Sequence, residues 1–197
     1  MGAGRFLFAT SFPLFLLVAG IAQASHGMMY SFSSMHWQGL GFSPTAIGLM
    51  WAVAVMAEVS LLAFSNRVIE RFGPGSIFLA GITGGVVRWS LLAFVQSMPV
   101  ILMLQTLHAA SFAMTHLGTM HMIRLMVPER LRNRAQALHA ALSGGILMST
   151  SIWASGPLYH HFGAKTYLAM MGISLVALLI AVPLLRVSPR VRAAADT

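Results

Sequence analysis

Glu58 lies in an apolar stretch, with Val53 to Ala57 before it and Leu61 to Phe64 after it, and no opposite charge nearby in the sequence. A carboxylate in hydrocarbon is expensive to keep, so such a residue is a functional suspect, and the chemistry it offers is uptake and release of a proton. Two further sets of polar residues recur at helical spacing. Gln105, His108, Phe112, His116 and Thr119 are three or four apart, which at about 100° per residue gathers them within roughly 80° of arc. His121 falls outside that arc. Gln23, His26, Tyr30 and Ser34 form a second stripe, and Arg88 is a lone cation in another apolar segment. Imidazoles can donate, accept or carry a proton, and a guanidinium suits an anionic ligand. Each polar residue singly can be read as a helix-to-helix hydrogen bond worth about 1 kcal/mol. Two histidines on one face with Gln105 point instead to a cavity or substrate path.

These residues need elements to hold them, and the composition says which. The 197 residues are 57% hydrophobic and 8% charged, too little polar surface for a soluble globule and suited to an integral membrane protein. Six apolar segments are expected as helices at about 6–34, 44–65, 76–97, 99–122, 135–158 and 166–186, since helices satisfy their own backbone in lipid. Together they make one six-helix bundle over residues 1–187, followed by a basic tail at 188–197. Ser43 before Pro44 reads as an N-cap, Pro99 opens the fourth span in the same way, and Gly73-Pro74-Gly75 reads as a turn. At a rise of about 1.5 Å per residue, His26, Arg88, His108, Glu58 and His116 all fall near the midplane.

The formal charge of +8 is arranged by loop, which speaks for membrane topology and against nucleic acid. Ten of the twelve Lys and Arg residues lie at the N-terminus, loops two and four and the C-terminus; Lys165 is opposite them, and Arg88 is within a span. Both termini are therefore expected on the cytoplasmic side of the inner membrane. An alternative reading takes Arg5, the apolar run after it and Ala22-Gln23-Ala24 as a cleaved secretory signal. Against it, the apolar stretch continues through Met28, Met29 and Tyr30, and Pro13 interrupts the supposed signal core.

Arg71-Phe72-Gly73 followed by Ser76-Ile77-Phe78-Leu79-Ala80 is echoed by His161-Phe162-Gly163 followed by Thr166-Tyr167-Leu168-Ala169. The copies join spans two to three and five to six, on opposite membrane faces, as an inverted pair of three-helix repeats requires. The alternative is that helix-joining turns simply favour an aromatic followed by glycine. Gly81 with Gly85, and Ser143-Gly144-Gly145, permit close helix approach or, in span five, a bend. No cysteine is present, the methionines are scattered and His160-His161 has no partner acid, so neither a bound metal nor any cofactor is expected. No phosphate-binding glycine loop, carboxylate pair or serine elbow suggests an enzyme.

Ser25-His26-Gly27 with Tyr30-Ser31-Phe32, Trp51, Val55-Met56-Ala57-Glu58, Phe64-Ser65-Asn66 and Val86-Val87-Arg88-Trp89 resemble the C-terminal half of the 3-phenylpropionate permease family. Gln105, Leu107-His108, Phe112, His116, Gln136 and Leu158-Tyr159 extend the likeness over nearly the whole chain. That family belongs to the major facilitator superfamily and is related to nucleoside:proton symporters. The resemblance implies half of a major facilitator fold, with 3+3 inverted repeats, and proton-coupled symport of a small aromatic carboxylate. Its cavity would be lined from spans one, two, four and five. On that reading Glu58 exchanges the coupling proton, and His26, Tyr30, Arg88, Gln105, His108, Phe112 and His116 meet the substrate. Glu58 and Arg88, on consecutive antiparallel helices, could instead form a structural ion pair, or Arg88 could snorkel with Trp89 toward the interface. Family members carry two six-helix halves, so a second bundle is implied, as a homodimer or a separate N-terminal half. The alternatives are a transport-inactive fragment or split-gene subunit acting as a membrane interaction protein, and a metal carrier.

Overall fold

The computed structural model describes residues 11–187, which are helical and contain no strand. The basic tail, Arg5 and the expected start of span one at residue 6 lie outside the described residues. Span one comprises Phe12–Ala24 and Gly27–Gly39, running beyond the expected end at Ser34. Span two is Pro44–Ala63, capped by the Ser43 hydroxyl, which accepts from the Ala46 amide at 3.2 Å. A short polar helix, Ser65–Phe72, leads into span three, Pro74–Leu92. Span four runs from Met98 to Met126 with a π-helical turn at Ala109–Met114. Span five is Arg132–Ala140, a second π-helical turn at Ala141–Leu147, and Met148–Phe162; span six is Thr166–Val187. The last two spans belong to one nearly continuous helical run, Glu129–Leu185, of 57 residues. Straight, it would be about 85 Å long, far more than a bilayer. Gly163, with φ +54°, turns the chain back and makes two spans of it.

The echoed tripeptides end their helices in a similar way. Gly73 (φ +73°) and Gly163 (φ +54°) each end a helix whose last residue is phenylalanine, in a region of backbone space open to glycine at little cost. The packing carries the repeat further. Span three packs on spans four and six, span one on spans five and six, and span two on span four. Exchanging one with four, two with five and three with six turns this set of neighbours into itself, as an inverted repeat must. The interruptions obey the same symmetry. Span one breaks at Ser25-His26 and span four at Leu107-His108, so each histidine sits at the break of its own span.

Lipid is as apolar as the core, so close packing rather than water exclusion holds such helices together. Glycines make the closest approaches. A Cβ on Gly81 would strike the backbone and hydroxyl of Thr115, and one on Gly118 would lie 2.8 Å from Phe78. Gly20 admits Leu147 of span five. Aromatic and aliphatic groups fill the rest, with Phe12, Phe15, Phe78 and Met122 toward one end and Trp37, Met50 and Ile101 toward the other. Between them Trp89 stacks on Tyr167, whose hydroxyl is hydrogen-bonded to Ser33. Span two is peripheral, with only Met50 and Ala54 buried.

Candidate functional site

Arg88 is the centre of the polar interior and is fully buried, so it does not snorkel toward the interface. Its guanidinium donates to the Gln105 amide oxygen at 2.5 Å, the Ser111 hydroxyl at 3.0 Å and His108 Nδ1 at 2.9 Å. Its carbon lies 4.9 Å from the Trp89 ring centroid, a favourable place for a cation. The Glu58–Arg88 pair that the sequence leaves open gives way to a bridged arrangement: Glu58 Oε2 is 3.4 Å from His108 Nε2, and His108 stands between acid and cation. The reason is the packing order. Span two lies against span four and not chiefly against span three, its neighbour in sequence, so its acid meets the histidine of span four first.

Donor and acceptor chemistry places the protons. Arginine only donates, so His108 Nδ1 must accept, and the imidazole in this arrangement is the neutral tautomer with its proton on Nε2, facing Glu58. A second proton on His108 would oppose the Arg88 bond. Glu58, with 22% of its side chain exposed against 6% for His108, is the more open member of the pair. The same reasoning continues into span one. His26 Nδ1 lies 3.0 Å from the Gln23 carbonyl, which only accepts, so Nδ1 carries the proton and Nε2 accepts from the Ser111 hydroxyl at 3.3 Å. Arg88, Ser111, His26 and the Gln23 backbone thus form one directed chain of hydrogen bonds across three spans.

Ring contacts complete the cluster. His26 packs on Tyr30, Trp89, His108 and Phe112, with centroids 5.7, 4.9, 5.6 and 5.7 Å away. Tyr30 is partly exposed and stacks on Trp51, whose Nε1 donates to Ser34 at 2.9 Å. Phe112 stacks between His108 (5.1 Å) and His116 (6.2 Å). Glu58, His26, Tyr30, Arg88, Gln105, His108, Phe112 and His116 are therefore drawn into one continuous group, but not one environment. The π-helical turn at Ala109–Met114 widens the helix and rotates its C-terminal part, from Thr115 onward, relative to its N-terminal part. Gln105 and His108 lie in the packed interior, whereas His116 is exposed.

Beyond Phe112 lies a cavity of about 400 Å³, lined from span one by Gln23, from span four by Phe112, His116 and Met120, and from span five by residues including Gln136, His139 and Met148. Sequence reasoning assigns no place in the site to Ser25, Ser111, Trp89 or His139. Ser25 receives the Trp89 indole at 3.1 Å and donates to the Ala22 carbonyl at 2.7 Å, steadying the break in span one. For His139 a signal exists: Gln136, His139 and Ser143 recur at intervals of three and four, the same spacing that marks span four.

Comparison with known proteins adds to this geometry. Residues 4–170 match the sequence model of the MFS_1 like family. The chain is 31% identical over 167 residues, 84% of its length, to an Escherichia coli (strain K12) protein described as "Probable 3-phenylpropionic acid transporter", covering 44% of that protein. It is 26% identical over 151 residues to the maltose permease of Geobacillus stearothermophilus, 70% of this chain and 37% of that one. With the uncharacterized transporter YwbF of Bacillus subtilis (strain 168) the identity is 20% over 169 residues, 85% of this chain and 42% of the other. The chain spans less than half the length of each of these relatives.

Proposed function

The chain belongs to the MFS_1 like family of multi-pass membrane transporters, and from that membership together with the Glu58 relay we propose that it is a proton-coupled carrier of a small aromatic carboxylate. The observation that carries the reading is the Glu58–His108–Arg88 bridge: the one acid within a span among the described residues faces an imidazole N–H held in place by a buried cation. Glu58 binds a proton on one side of the membrane and gives it up on the other. Protonation removes the charge that His108 faces, loosening span two from span four, and span two is the peripheral helix best placed to move. His26, Tyr30, Gln105, His108, Phe112 and His116 surround the substrate path, and Arg88 holds the relay in register.

The bundle acts beside a second six-helix bundle, because alternating access needs two bodies to rock against each other. Its setting is the cell inner membrane with both termini cytoplasmic, supported by the clustering of ten basic residues on that side. The test is Glu58→Gln in proteoliposomes under an inward-directed proton gradient, with labelled 3-phenylpropionate as the probe. Gradient-driven uptake is expected to disappear while the amount of folded protein in the membrane stays constant. Uptake that persists, or loss of the folded protein, refutes the coupling role.

A further inference from the structure

Arg88 is the obvious receptor for an anionic substrate, yet its geometry speaks against that task. The guanidinium is fully buried, its two terminal nitrogens engaged by three protein acceptors and only Nε without a partner, and Arg88 does not line the cavity beyond Phe112. No Asp, Glu, Lys or Arg lines that cavity; its polar groups are amides, a serine and two histidines. Two of these are buried and incompletely satisfied. Gln23 is 5% exposed and donates through Nε2 to the Phe112 carbonyl at 3.5 Å, while its Oε1 has no partner. His139 is 3% exposed, and its Nδ1 also has no partner. A buried polar atom without a partner costs about 1–3 kcal/mol, which a ligand recovers by supplying one. The lining therefore holds an acceptor in the Gln23 amide oxygen and, in the tautomer with its proton on Nδ1, a donor in His139, with Phe112, Met120 and Met148 as an apolar bed.

We propose that this cavity binds the aromatic acid in its protonated form. The carboxyl O–H donates to Gln23 Oε1, the carboxyl C=O accepts from His139 Nδ1–H, and the ring rests on Phe112 and the methionines. An uncharged carboxyl group supplies one donor and one acceptor, which matches the two partnerless atoms with His139 in that tautomer, and brings no net charge into a site with no fixed charge to meet it. The inference rests on the reading of an aromatic acid as substrate and adds the form in which it is held. Glu58 remains a separate exchange site across the Phe112 ring, and the proton on the substrate stays on its carboxyl group throughout binding.

Three probes with one phenylethyl body test it, with binding to the purified full chain in mild detergent measured by calorimetry at pH 7. They are 3-phenylpropionate, 3-phenylpropionamide, which is neutral and offers both a donor and an acceptor, and 2-phenylethanesulfonate, which is always ionised. The amide is expected to bind at least as tightly as the acid, and the sulfonate about tenfold more weakly or worse. Gln23→Leu and His139→Leu are each expected to weaken acid and amide binding about tenfold. Size-exclusion behaviour checks that each variant folds, and either folded variant suffices. A sulfonate that binds while the amide does not overturns the inference and leaves the aromatic-acid reading intact. Acid binding untouched by the folded variants overturns the siting in this cavity. A chain that binds none of the three probes overturns the inference and the substrate reading together.

Discussion

Two polar regions share the interior of this bundle, with the Phe112 ring between them. On the Arg88 side the side chains are packed directly against one another, with hydrogen bonds running in one direction from Arg88 through Ser111 and His26 to the Gln23 backbone, and only Arg88 Nε and Gln105 Nε2 lack a partner among the described residues there. On the His139 side, Gln23 Oε1 and His139 Nδ1 are buried without partners around about 400 Å³ of empty space. Both regions contain histidine and glutamine, but only the first contains an acid and a cation. What differs is room: the Arg88 network ties three helices together with no cavity lined by Arg88 or Gln105, whereas Gln23 and His139 line a space that can take something else. Polar residues inside a membrane bundle thus divide into those that hold it and those that wait, and the presence of histidine and glutamine does not separate the two.

The comparison can be broken most severely at Arg88. Arg88→Met removes the donor to Gln105, Ser111 and His108 together, and is expected to cost about 3 kcal/mol or more, or to abolish the folded bundle. Thermal unfolding in detergent measures it, and an unchanged melting temperature would show that the network does not hold the helices. A subtler pair of changes uses the same substitution in both regions. Gly81→Ala pushes a methyl into Thr115 and should destabilise by about 1–3 kcal/mol. Gly144→Ala, beside the cavity, meets nothing within 4 Å and should be neutral or stabilising by up to about 1 kcal/mol through helix propensity. Equal effects in the same melting assay would contradict the division into packed and open sides. The smallest effect is expected at the rim, where Ser34→Ala removes the exposed 2.9 Å bond from Trp51 at about 0.5 kcal/mol. A large loss there would mean that the rim also holds the fold.

Much of this is open to inspection along the chain. The apolar segments arise from the length of helix that lipid demands, the Ser43-Pro44 cap from local hydrogen bonding, and the echo of Arg71-Phe72-Gly73 in His161-Phe162-Gly163 leads to two glycines of positive φ. The stripe from Gln105 to His116 is visible in its spacing. Its division into a packed part and an open part is not, because a constant 100° per residue leaves no room for a π-helical turn. His139 escapes notice for a different reason: it lies inside the expected span five, where Ser143-Gly144-Gly145 stands out, although its spacing from Gln136 and Ser143 carries the helical signal.

The sequence by itself determined that the chain spans a membrane as apolar helices, that one acid and one cation lie within them, and which side of spans one and four is polar. Those properties depend on the solvent each segment must satisfy and on the periodicity of the helix, both of which are local. Only the tertiary structure decided that Glu58 meets His108 in place of Arg88, that Arg88 is enclosed, and that Gln23 and His139 are left with bonds to give. Helices adjacent in sequence need not be the ones that pack together, and partnership between side chains is settled where the helices meet.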